Sequence, residues 1–367
     1  MKPNTAVLQM DPYKPPSSGR EGYLRLDFNE NTVGCSPRVV AALKRAVNRE
    51  MLATYPEYES CRAEIAAAFG CTAEETLLTN GTDDAILLLI NTFIEPGQRI
   101  VLADPCFAMY RFYASLVGAE LVSVPRGPKF EFPAAAVRAE VEKGARAVFI
   151  DNPNNPTGTI ASPQVIESLA RDFPETLVLV DEAYYDFYGR TALALRHKYP
   201  NVVVTRTLSK AHGLAAMRIG CLFASGETAA HLRKAHSPYN VNGLALVAAI
   251  AALRDGKYVK KYAREIKAAR QYFEGELKRL KVQYIRSAAN FVLVRFGDQA
   301  VAVKNGLRDH GILVRDRSYE APGWVRVTIG TMPQMRRLVR EMIKWHRPSG
   351  LCAEPNTGLK AGVTRKV

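Results

Sequence analysis

Several features that would take this chain out of the ordinary globular class are missing from it. No apolar run approaches the roughly 18 residues that a membrane span requires, so no membrane partner is expected. The amino terminus, MKPNTAVLQMDPYKPP, has one early lysine and no apolar stretch behind it. A secretory signal is therefore not expected, and the cytoplasm is. Six cysteines, Cys35, Cys61, Cys71, Cys106, Cys221 and Cys352, are scattered without a CxxC pair. In a chain this long they read as free, buried or half-buried thiols rather than a disulfide framework. His and Cys are too dispersed for a zinc signature, and no metal is expected. There is no internal repeat and no low-complexity block.

What is present fits a soluble protein of two packed domains. At 367 residues the chain exceeds one minimal core. Its formal charge of +14 raises the question of nucleic acid. The basic residues, however, lie in stretches such as KKYAREIKAAR and GELKRLK, beside apolar positions at helix spacing, as on a solvated face. No zinc finger or RNP1-like string accompanies them, so nucleic acid is not an expected partner. The excess charge is expected to aid solubility and attract small anions.

Residues 1–22 are rich in Pro, Ser and Gly and read as an extended arm. Ser36 is a candidate N-cap, with Pro37 in the first turn of a helix through RVVAALKRAVNRE. A second helix is expected over SCRAEIAAAFG, closed by Gly70, and a third where TNGTDD opens an apolar run that ends at Pro96-Gly97. Buried strands are then expected in RIVLADP, RAVFIDNP, TLVLVDEAY, NVVVTRTLSK and RIGCLFA, with helices between most of them. That alternation predicts a largely parallel sheet covered by helices, with ligands beyond the carboxyl ends of its strands. A helical region runs from about residue 240 to about 281 and precedes ANFVLVRF, GILVRD and WVRVTIG, which suggest a smaller α+β unit. From His346 onward the periodicity is lost, and a mobile tail is expected.

The strand ends deliver, in chain order, Asn155 in NPNNPTG, Asp181 and Tyr184 in VDEAYYDF, Ser209 and Lys210 in RTLSK, and Arg218. Each alone is an ordinary turn or surface residue. Together they match the needs of a pyridine aldehyde phosphate. A carboxylate keeps the ring nitrogen protonated, an amine forms the imine, and donors serve the phenolic oxygen. Hydroxyls, an arginine and the N–H groups of a helix start cup the phosphate, and NGTDD supplies such a start.

At this point the chain resembles the histidinol-phosphate aminotransferase family of fold-type I pyridoxal-phosphate enzymes. The matching strings are LDFNENTVGCSP, YPEY, NGTDD, DPCFAMY, NPNNPTG, DEAYYDF, RTLSKAHGLAAMRIG, NFVLVR, GILVRD and VRVTIGT, in family order from about residue 10 to about 340. The resemblance implies an α/β fold. A large domain (36–240), with a mostly parallel seven-stranded sheet flanked by helices, is joined by a smaller α+β domain (241–345). An amino-terminal arm (1–35) contributes to the small domain and active site, and a tail (346–367) follows. It implies pyridoxal 5'-phosphate held by Lys210 as a Schiff base, with Asp181 on the pyridinium and Asn155 and Tyr184 at the phenolic oxygen. Lys210, Asp181 and Tyr184 are the implied catalytic residues. Ser209, Arg218, Thr207 and the helix start at Gly81, Thr82 and Asp83 would hold the phosphate, and Phe107 would stack on the ring. Tyr55 would reach the phosphate in the other subunit of a homodimer.

For substrates, the resemblance assigns Arg326 to the carboxylate of glutamate or 2-oxoglutarate, and Arg315 and Tyr13 to the phosphate of histidinol phosphate, with Asn155 in the same pocket. The implied reaction is a ping-pong exchange, histidinol phosphate and 2-oxoglutarate giving imidazole acetol phosphate and glutamate in histidine biosynthesis. The chain departs from the family pattern at His212, where an aromatic is usual, at Ala216 in place of Gly, and at Pro15-Pro16 in place of PG. These changes leave open an aromatic amino-acid aminotransferase or a threonine-phosphate decarboxylase-like enzyme. His212 reads as a packed or hydrogen-bonded neighbour of Lys210.

Overall fold

A computed structural model describes residues 1–8, 10, 12 and 19–345. The expected Tyr13 contact and the expected carboxyl-terminal tail lie outside the described residues. Among the described residues, twelve strands form two sheets. The larger contains β2 (Thr76–Thr79), β3 (Arg99–Asp104), β4 (Glu120–Pro125), β5 (Ala147–Asp151), β6 (Leu177–Asp181), β7 (Val202–Thr207) and β8 (Gly220–Phe223), in the order β2-β8-β7-β6-β5-β3-β4. All its pairings are parallel except those of β8 with β2 and with β7. The five expected strands are β3, β5, β6, β7 and β8. The two not foreseen, β2 and β4, both lie at sheet edges, where TLLT is short and ELVSVP carries polar and half-exposed positions.

The central strands read as unbroken apolar runs because both sheet faces are covered. Val148 and Ile150 of β5 and Val178 and Val180 of β6 enter one core, while Ala147 and Phe149, and Leu177 and Leu179, enter another on the opposite face. The helix Thr82–Phe93 packs its Ile86, Leu89 and Ile90 into the second core. The helix Pro37–Ala46 begins as expected, with the Ser36 hydroxyl accepting from the Arg38 N–H at 3.1 Å and Pro37 at the first position.

The smaller sheet has the order β1-β11-β12-β10-β9, with β1 (Leu24–Leu26), β9 (Tyr284–Ile285), β10 (Phe291–Arg295), β11 (Ile312–Asp316) and β12 (Trp324–Thr328). Its core takes Val292, Val294, Val325 and Val327 together with Ile266 and Phe273 of the helix Gly256–Arg279. The helical region after residue 240 is two helices. Gly243–Arg254 buries Ala245, Leu246 and Ala249 in the core of the larger sheet. Gly256–Arg279 serves the smaller one. The boundary we propose between the two units is therefore Asp255, because the first helix packs with the larger sheet. The stretch after β1 bridges both sheets: the Asn29 N–H donates to Thr328 Oγ1 at 3.0 Å, and Asn31 Nδ2 to the Ala211 carbonyl at 2.9 Å.

Candidate active site

The parallel strands β5, β6 and β7 all end at one edge of the larger sheet, and a cavity of about 390 Å³ opens there. Thr82, Asp83, Phe107, Asn155, Asp181, Tyr184, Thr207, Ser209, Lys210, Arg218, Arg315 and Arg326 all line it, so most of the expected site residues meet in one place. Gly81 stands just before Thr82 as the N-cap of the helix Thr82–Phe93. Its φ of +80° favours glycine, and an added Cβ would lie 2.6 Å from the Arg218 guanidinium, which would have to shift.

Asp181 closes β6 at the buried floor of the cavity. Its carboxylate accepts from the Tyr110 hydroxyl at 3.0 Å and the Ala183 N–H at 3.1 Å, and no cationic side chain pairs with it among the described residues. Burial, with the negative charge of Asp151 nearby, pushes its pKa up to about 7. A cationic ligand atom beside Asp181 would restore its charge. Lys210 follows β7, and its Nζ donates to the Phe28 carbonyl at 3.1 Å. Burial, with Arg326 adding repulsion, lowers its pKa to about 8, so a reactive free amine is accessible near neutrality.

The opposite end is built for an anion. Among the described residues the Thr82 hydroxyl is buried without a hydrogen-bond partner at the helix start, whose first backbone N–H groups have no acceptor within the helix. Arg218 adopts the left-handed region at φ +51°, and its guanidinium reaches Asp83 Oδ2 at 3.3 Å. Burial raises the pKa of Asp83 despite Arg218 and Lys210. Asp84 instead serves the helix end, its Oδ2 accepting from the Asn80 N–H at 2.9 Å.

Arg326 sits over the Phe291 ring at 5.5 Å and donates to the Asp27 carbonyl at 2.7 Å and to the side-chain oxygen of Asn155. That last bond fixes the Asn155 amide, leaving its NH₂ to donate elsewhere. The Arg326 Nε has no partner among the described residues, and burial, with Arg317 and Arg315 nearby, lowers the guanidinium pKa to about 10. Arg315 lies over Phe28 at 5.7 Å and pairs with no carboxylate among the described residues. The Tyr184 hydroxyl accepts from Asn29 Nδ2 at 2.9 Å.

Tyr55 is the expected residue that this cavity does not collect. It is 74% exposed, stacks on Tyr239 at 4.5 Å, and borders a separate depression with Met51 and Leu244. His212 is buried, with its Nδ1 unbonded and Asp186 3.8 Å away, and burial lowers its pKa. The structure adds Arg20, Glu30, Asn29, Asp151, Tyr110 and Arg317, none of which the sequence singled out. Arg20 grips Asp27 at 2.8 Å and Glu30 at 2.7 Å on the cavity rim. A signal existed for Asp151, since AVFID ends in aspartate as LVLVD does.

Residues 21–342 match the model of the family described as aminotransferase class I and II. The chain belongs to that family. This aminotransferase is 40% identical over 353 residues to a histidinol-phosphate aminotransferase of Symbiobacterium thermophilum, covering 92% of this chain and 97% of the relative. It is 38% identical to the Limosilactobacillus fermentum enzyme of the same name, over 87% and 91% of the two chains. Among solved structures it superposes, with a TM-score of 0.84 and 25% identity, on histidinol-phosphate aminotransferase from Sinorhizobium meliloti in complex with pyridoxal-5'-phosphate, over 93% and 96% of the chains. The family and the fold expected from the sequence are those found.

Proposed function

We propose that this aminotransferase uses pyridoxal phosphate to exchange the amino group of histidinol phosphate with 2-oxoglutarate, giving imidazole acetol phosphate and glutamate. The observation that carries this reading is the pairing, in one cavity, of a cation-free Asp181 at the floor and an amine of lowered pKa at Lys210. The donor set fits the group. An orphaned Thr82 hydroxyl, the Gly81 cradle and Arg218 suit a phosphate, and Asp181 suits a protonated ring nitrogen. The names of the relatives supply the substrate.

Pyridoxal phosphate, when bound, supplies an aldehyde that condenses with primary amines and a ring that draws electrons from the adjoining carbon. Lys210 contributes the protein's own amine, and its Nζ then takes and returns a proton beside the substrate. Asp181 would keep the ring nitrogen protonated by accepting its N–H. Tyr184 and the Asn155 NH₂ would donate to the phenolic oxygen, and Arg326 fixes that Asn155 orientation. Thr82, Thr207, Ser209 and Arg218 would hold the phosphate, with Asp83 steadying Arg218, and Phe107 would cover the ring. Arg326 and Arg315 bind the substrate's own anion, a carboxylate in one half-reaction and a phosphate in the other. One cationic pocket thus accepts both.

We further propose a cytoplasmic homodimer in which Tyr55 serves the partner's site. Its exposure, beside exposed Leu52 and Tyr239, supports this. An absorbance spectrum tests the cofactor and substrate together. The loaded protein should show a visible band that histidinol phosphate bleaches and phenylalanine does not. Equal bleaching by phenylalanine would turn the assignment to an aromatic amino-acid aminotransferase. Release of carbon dioxide without glutamate would turn it to a decarboxylase.

A further inference from the structure

Asp151 closes β5 as Asp181 closes β6, and the two are Cα partners in register on adjacent parallel strands. Both are buried and both line the cavity. They are held in different ways. Asp181 meets only neutral donors, as described above. Asp151 Oδ1 accepts from Asn154 Nδ2 at 2.7 Å and faces the Arg126 guanidinium at 3.6 Å. Its other oxygen, Oδ2, accepts from two backbone N–H groups at once, that of Asn155 at 2.9 Å and that of Phe107 at 3.2 Å.

Arg126 is itself fixed. Its Nε donates to the carbonyls of Ala103 and Pro105 at 3.2 and 3.1 Å, and it donates to Thr159 Oγ1 at 3.4 Å. Among the described residues, Arg126, Cys106, Tyr110, Tyr184 and Asp181 are the ionisable groups around Asp151, and Tyr110, Tyr184 and Asp151 those around Asp181. One carboxylate oxygen therefore ties together two loops, each carrying a residue assigned to the cofactor. Such a shared acceptor sets their spacing more tightly than either loop would alone.

We infer that Asp151 is a positioning residue for the cofactor. Its shared oxygen sets Phe107 and Asn155 in register on the ring, and its negative charge reinforces that of Asp181 near the ring nitrogen. This rests on the pyridoxal-phosphate reading above. A nearby carboxylate stabilises the protonated form of a bound imine, so removing it lowers the pH at which the visible band changes.

The test compares Asp151→Asn, which removes the charge, with Asp151→Glu, which keeps the charge but displaces the shared oxygen. Both are loaded with pyridoxal phosphate. The readouts are the pH midpoint of the visible band and the cofactor dissociation constant by equilibrium dialysis. Asp151→Asn should lower the midpoint by about one pH unit and weaken the cofactor about tenfold. Asp151→Glu should leave the midpoint in place and weaken the cofactor to a similar degree. Wild-type values in both variants, or equal midpoint shifts in both, overturn the inference. Should the asparagine variant not fold, wild-type affinity in the glutamate variant overturns it. Absence of any visible band in the loaded wild type is a different result, because it removes the cofactor reading itself.

Discussion

Asp181 and Lys210 are displaced in opposite directions by one cause, the removal of water around a charge. For Asp181 this has a measurable sign. Its folded pKa of about 7 lies above the ordinary carboxyl value of 3.8, so the cofactor-free fold holds a proton that the unfolded chain releases. Stability is therefore unaffected below about pH 3.8, falls as the pH rises from there to about 7, and is level beyond. The cost at pH 8 is on the order of 4 kcal/mol. Asp181→Asn, without cofactor, should melt several degrees above the wild type at pH 8, and the difference should vanish near pH 4. With pyridoxal phosphate the order should reverse, since the variant cannot pair with a cationic ring. Thermal melts across pH check both halves, and a flat difference across pH would sink the electrostatic account. Lys210→Ala should lose at least about 10²- to 10⁴-fold in turnover, the range a positioned acid–base group supplies. Near-normal rates would remove Lys210 from the chemistry.

Among the elements, the start of the helix Thr82–Phe93 joins fold and site most directly. In Gly81→Ala the added methyl would meet the Arg218 guanidinium, the far end of a flexible side chain, so the displacement falls on Arg218. At φ +80° and ψ 174° Gly81 occupies a region that is essentially open to glycine alone, and alanine there adds about 1–3 kcal/mol of strain. Gly70→Ala is the control. Its φ of +70° also favours glycine, but its Cβ would meet open space. Both variants should lose stability in denaturant titrations, while only Gly81→Ala should weaken pyridoxal phosphate, by about tenfold or more in equilibrium dialysis. Equal affinity in the two would show that the cradle does not hold the phosphate. The strands that feed the site were legible because central parallel strands are apolar on both faces and end abruptly in polar residues, as LVLVDE does. The edge strands were not, because a half-solvated strand such as ELVSVP has no continuous apolar signature. The break at Asp255 was hidden because apolar helix periodicity runs on both sides of it.

At the scale of the whole molecule, the site draws on residues that no local pattern unites. Asn29 bonds Tyr184 across 155 positions, and Arg20 enters from a segment that reads only as an arm. Pattern reading finds residues that punctuate strands; it misses those whose role arises from long-range closure, and Asn29, Glu30 and Tyr110 are of this kind. Tyr55 extends the argument beyond one chain. The resemblance makes it a site residue, yet within this chain it stacks on Tyr239 and borders a different cavity from the one Lys210 lines. A dimer in which each Tyr55 serves its neighbour predicts complementation between two defective chains. In a mixed dimer of Lys210→Ala and Tyr55→Ala chains, one site carries both defects and the other carries neither. Random reassortment makes about half of the dimers mixed, so about one quarter of all sites should be intact. Dissociating and recombining the two variants should thus raise activity well above the mean of the separate preparations, toward about a quarter of wild type. If the mixture performs no better than that mean, each site is completed within a single chain, and Tyr55 has no role across the interface.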